Sequence, residues 1–82
     1  MFAVRWTPSA LRDFAELTLL HPGRWNDINA ADNDIDAKLR HDPTKYGQHL
    51  SEGLWRITSQ PLAVYYIVDA NLVEVISVSW SE

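Results

Sequence analysis

Residues 54–80 constrain what this sequence can fold into more than any other stretch. Val, Ile, Tyr, Trp and Thr dominate it, and such stiff or flat side chains suit a pleated, half-buried surface. Two short breaks divide it. Gln60-Pro61 closes the first run, because Pro61 has no N–H for a ladder and restricts the residue before it. Asp69-Ala70-Asn71 closes the second, where Asp and Asn side chains can support a turn. Breaks this short force neighbouring strands to run antiparallel. The stretch therefore predicts a three-stranded meander, and the preceding residues must supply the layer that covers one of its faces.

Residues 2–6 alternate, with Phe2, Val4 and Trp6 on one side and Ala3 and Arg5 on the other, which predicts a short strand. Thr7-Pro8 then reads as a helix start, Thr7 at the cap and Pro8 at the first helical position, where a missing N–H costs nothing. The spacing predicts a helix over 8–20 with an apolar stripe of Ala10, Phe14 and Leu17 and with Leu11 at its edge. His21-Pro22-Gly23 ends it. A second helix is predicted over 24–41, with Trp25, Ile28, Ala31, Ile35 and Leu39 on one face. Asp27, Asp32, Asp34 and Asp36 come early in it, and Lys38, Arg40 and His41 come late, as the helix dipole favours. The acidic run reads as a solvated helix face rather than a cation site. Asp42-Pro43 stops the helix, and 44–53 reads as a polar loop.

One strand, two helices and three strands make an α+β domain, an antiparallel sheet with both helices packed on one face. The whole of 1–82 forms this single domain. Alternation places Ile57, Val64, Tyr66, Val68, Ile76 and Val78 toward the helices. Ile57, Val64 and Ile76 should then pack on Phe14, Leu17, Ile28 and Ile35. The opposite face would carry Arg56, Thr58, Ala63, Tyr65, Ile67, Val73, Val75 and Ser77. That set is apolar for a face with no layer of its own, so Tyr65, Ile67, Val73 and Val75 are expected to bind another polypeptide.

Composition narrows the function. The 82 residues include no cysteine, which excludes disulfides and thiolate metal sites and fits a reducing cytoplasm. No stretch approaches the length of an apolar membrane span, so no membrane association is expected. Lys plus Arg total 7 against 11 Asp plus Glu, for a net charge of −4, which opposes broad nucleic-acid binding. His21, His41 and His49 have no ligand spacing, so no metal is expected. There is no glycine-rich phosphate loop, and no cofactor is expected.

The order of elements, together with Trp6-Thr7-Pro8-Ser9-Ala10, Asp42-Pro43, Gly53-Leu54-Trp55-Arg56-Ile57 and Val64-Tyr65-Tyr66-Ile67-Val68-Asp69, resembles the RelE/ParE superfamily of bacterial toxin–antitoxin toxins. The resemblance spans nearly the whole chain and implies a RelE-like β-α-α-β-β-β fold. It also implies a cytoplasmic toxin neutralised by a cognate antitoxin protein. RelE-like members cleave messenger RNA on the ribosome and ParE-like members poison gyrase, so RNA or gyrase is the implied target. Arg56 occupies a position where the family places a basic residue. The next strand carries Ala63 where many members have an arginine. Ser79-Trp80-Ser81-Glu82 stands where ribonuclease members have a basic, aromatic tail. These departures leave a second reading open, a catalytically inactive module of the same fold that only binds a protein. A homodimer covering the apolar sheet face is a further reading of the partner.

RNA cleavage by 2′-hydroxyl attack needs a base, a cation for the phosphorane charge and an acid for the leaving oxygen. Arg56 is the candidate cation. Tyr65 is a candidate for stacking on a base or donating a proton, and His49 and Glu52 are candidates for acid and base. Set beside this is a purely structural role, in which Arg56 pairs with Glu52 or Glu74, Tyr65 packs and His49 is a loop residue. The tryptophans Trp6, Trp25, Trp55 and Trp80 lack interleaved basic residues and read as core or interface.

Overall fold

A computed structural model describes all 82 residues. The elements run β1 (Ala3–Trp6), α1 (Pro8–Leu20), a 3-10 turn at Pro22–Arg24, α2 (Trp25–His41), a one-turn α3 (Pro43–Tyr46), β2 (Gln48–Ser51), β3 (Leu54–Ser59), β4 (Leu62–Asp69) and β5 (Leu72–Trp80). The α+β class and the segregated helices are as expected. The sheet, however, has five strands in the order β1-β5-β4-β3-β2 and is mixed rather than antiparallel. β1 pairs with β5 in parallel, Val4 beside Val73 and Trp6 beside Val75. β2 lies in the stretch expected to be loop, because Gln48-His49-Leu50-Ser51 has no apolar alternation and all four residues are exposed.

The helix ends follow local chemistry. The Thr7 hydroxyl accepts from the Ala10 N–H at 3.1 Å, and Pro8 opens α1. Asp42 ends α2 and caps α3 through the Lys45 N–H at 3.2 Å. Along α2 the early acids meet the late bases, Asp34 with Lys38 at 3.0 Å and Asp36 with Arg40 at 2.8 Å. The resulting hydrogen bonds hold the Asp34 carboxyl below its usual range and raise Arg40. Asp32 has no such partner, and burial followed by the nearby Asp36 pushes its carboxyl up.

Ala10 and Leu17 of α1 and Ile28, Ala31, Ile35 and Leu39 of α2 close over Ile57, Leu62, Val64, Tyr66, Val73, Val75 and Val78, with Phe14 and Trp6 packed against them. Three positions differ from expectation. Val73 and Val75 are fully buried in this core and do not face outward, while Ile76 is half-buried and outside the core cluster. The cause is a β-bulge. Pairing from the Ala70-Asn71 turn sets Val68 against Val73 and Tyr66 against Val75, and Tyr65 then meets Ser77, so Ile76 is left as the extra residue. Counting back by twos from Val78 crosses this insertion and lands on the wrong face.

The bulge coincides with a change of neighbour at the edge of β5. β1 follows β5 only as far as Val75, whose carbonyl accepts from the Thr7 N–H at 3.0 Å. Beyond it the Asp13 carboxylate of α1 accepts from the Val78 N–H at 3.1 Å and from the Ser77 hydroxyl at 3.3 Å. At the far end of β5 the indole of Trp80 stacks on His21 with centroids 3.6 Å apart, and Arg24 bonds Glu82 at 2.8 and 2.5 Å.

Tyr66 joins the layers. Its ring is fully buried, and its hydroxyl donates to the Pro43 carbonyl at 2.6 Å. Gly47 passes so close that a Cβ there would overlap the Tyr66 hydroxyl oxygen and lie 2.9 Å from the Pro43 carbonyl oxygen. Here glycine is required by space. Gly47→Ala should therefore cost about 1–3 kcal/mol in urea unfolding, and an unchanged midpoint would show that the hydroxyl yields freely. Burial also pushes the Tyr66 phenol from 10.0 up to about 12. A raised acid pKa means the folded state holds its proton after the unfolded chain has lost it. Stability from this group is thus complete below pH 10 and is lost as pH rises toward 12. Wild type should lose stability relative to Tyr66→Phe across that window, and parallel pH profiles would refute it.

Candidate functional site

With the helices on one side, the other side of the sheet is a solvent-facing surface built as cross-strand rows. Arg5, Glu74, Ile67 and Leu54 form one row, and Gln48, Arg56, Tyr65 and Ser77 form the next. Thr58, Ala63 and Ser79 form a third. This face is more polar than expected, since Val73 and Val75 belong to the core, and of the four residues expected to bind a partner only Tyr65 and Ile67 lie on it. Ile67 is 36% exposed. Ala63 is buried and leaves no cation at its position.

The structure brings Arg56 and Tyr65 together. Strand pairing sets them directly opposite, and the Arg56 Nε–H donates to the Tyr65 hydroxyl oxygen at 3.3 Å. The guanidinium carbon lies 5.9 Å from the ring centroid. Neither Glu52 nor Glu74 pairs with Arg56. Glu74 is the ion-pair partner of Arg5, and Glu52 sits exposed in the tight β2–β3 turn beside Gly53, whose φ is 74°. The terminal nitrogens of Arg56 consequently remain free, and the Tyr65 hydroxyl, which accepts from Nε, has its proton free to donate.

His49 is not part of this group. It pairs with Trp55, one position from Arg56 and so on the other face of the hairpin, and its ring lies 4.9 Å from the indole. Gln48, which faces Arg56 across the ladder, is the residue that the sequence reading missed. Only recognition of β2 as a strand could have found it. No three His or carboxylate side chains converge as a metal would require, and no helix is long and apolar enough to cross a membrane.

Two planar donors on a rigid sheet, a guanidinium and a phenol, form an arrangement suited to an anionic oxygen. The chain superposes on members of two toxin–antitoxin systems. Against the RelBE2 toxin–antitoxin complex of Mycobacterium tuberculosis the TM-score is 0.78 at 20% identity, over 96% of this chain and 90% of that one. Against the chromosomal ParDE toxin–antitoxin system of P. aeruginosa it is 0.79 at 14% identity, over 100% and 98%. The chain has the RelE/ParE fold. A conserved hypothetical protein of Helicobacter pylori is also similar, with a TM-score of 0.63 at 18% identity over 98% and 94% of the two chains. No protein-family model and no curated protein matches the sequence. At 20% and 14% identity the likeness shown is that of the backbone path.

Arg56 contributes to the surface and not to the core. Arg56→Ala should shift the unfolding free energy by no more than about 0.5 kcal/mol. A loss of several times that would make Arg56 a structural residue.

Proposed function

We propose that this RelE/ParE-like chain is the toxin of a bacterial type II toxin–antitoxin pair, held inactive by a cognate antitoxin protein. The observation that carries this reading is Arg56, fixed by Tyr65 on the open face of a sheet that superposes on members of two such systems. Arg56 supplies the cation for a phosphate oxygen, Tyr65 a proton donor or stacking surface beside it, and Gln48 a further polar contact. An antitoxin segment laid across the same face would cover Arg56 and bury Ile67. A messenger RNA on the ribosome is the target that best fits a guanidinium–phenol pair.

Ala63 supports a second reading, an inactive module that binds a protein and cleaves nothing. The other cation and carboxylate of this face, Arg5 and Glu74, are engaged with one another, which leaves proton removal from the attacking hydroxyl unassigned. Growth measurements separate the two. Induced alone, the wild-type chain should arrest bacterial growth, and Arg56→Ala should relieve the arrest while the purified variant stays folded. Absence of arrest by the wild type would favour the binding module. Ile67→Lys should reduce co-purification with the cognate antitoxin at least tenfold, and undiminished capture would place the antitoxin elsewhere.

A further inference from the structure

The most apolar exposed surface of the molecule lies on neither face of the sheet. Leu11, Leu19 and Leu20 of α1 are 57%, 78% and 72% exposed, and Trp25 just beyond is 56% exposed. α1 needs only one side for the core, where Ala10 and Leu17 are buried, Phe14 packs and Asp13 holds β5. Its outer side carries two ridges at four-residue steps, Leu11-Ala15-Leu19 and Arg12-Glu16-Leu20. A shallow surface depression is lined by Glu16, Leu19 and Leu20. The Trp25 indole N–H is already satisfied by the Thr18 carbonyl at 2.9 Å, so its exposed ring presents apolar surface.

We propose that this outer side of α1 is a self-complementary interface through which two copies of the chain pair about a twofold axis near Ala15. The pattern favours a second copy over an unrelated partner because it matches its own reverse. Turned end over end about Ala15, Leu11 falls on Leu19 of the other copy and Leu19 on its Leu11. Ala15 sits at the crossing, where a small side chain lets two helices approach closely and interlock their four-residue ridges. The charges are self-complementary too. Arg12 and Glu16 take part in none of the ion pairs within the chain, although every other arginine except Arg56 does. In the reversed arrangement Arg12 of each copy approaches Glu16 of the other, giving two equivalent pairs, as an isologous contact requires. The interface is independent of the open sheet face and of the toxin reading.

Sedimentation equilibrium of the full chain across the micromolar range tests the proposal. Wild type should show a monomer–dimer equilibrium, and Leu19→Glu should be monomeric with an unchanged circular dichroism spectrum and melting temperature. Charge exchange is the sharper probe. Arg12→Glu and Glu16→Arg should each weaken self-association about tenfold by setting like charges against one another. Mixed in equal amounts, the two variants should pair with each other, and the double variant Arg12→Glu/Glu16→Arg should recover wild-type association. A wild type that remains monomeric throughout would overturn the proposal, as would single variants that show no preference for each other. Capture of a different protein by a monomeric wild type through Leu19 would also overturn it.

Discussion

β5 is asked to satisfy different neighbours along its two halves, and the extra residue at Ile76 is how it does so. Up to Val75 it lies between β1 and β4, and beyond that point it has only β4 beside it. The insertion turns Val75 and Val78 toward the same core although they are three residues apart, and this allows a nine-residue strand to contribute to the core on both sides of its bend. It also frees the edge where α1 departs from β1 and crosses back. The placement of α1, the depth of the core and the polarity of the opposite face all follow from that one shift.

Tyr66, on the same helix-covered face, is the complementary constraint. A phenol can be buried in an aliphatic core only if its hydroxyl finds an acceptor, and here the acceptor is a carbonyl at the start of α3. That bond fixes the end of α2 over the middle of the sheet, and Gly47 is the clearance it needs. β2 begins one residue later, so the row that sets Gln48 against Arg56 depends on a core tyrosine on the far face.

Much of the architecture was legible in the sequence because it rests on local chemistry. Thr7-Pro8 and Asp42-Pro43 mark helix boundaries through their own hydrogen bonds, and Ile28, Ala31, Ile35 and Leu39 declare a buried face through their spacing. What was not legible depends on pairing between distant strands. The parallel union of β1 with β5 leaves no mark in either strand, and a bulge at Ile76 looks like any other apolar residue. β2 is held by its partner rather than by its own polar sequence. The candidate site divides along the same line. Arg56 and Tyr65 meet because their strands form an adjacent hairpin. His49, close to Arg56 in the chain, was separated from it by a ladder that the sequence did not announce.

The carboxylate of Asp13 has a consequence for how the molecule keeps to itself. A strand with one free side offers a row of unpaired amides to any extended chain, and such edges template aggregation. The second half of β5, beyond Val75, is an edge of this kind. Asp13 occupies the Val78 amide, and α1 lies across the approach, so an incoming strand meets a negative charge and a helix where it would need a ladder. A single acidic side chain thereby closes this part of the sheet to a further strand.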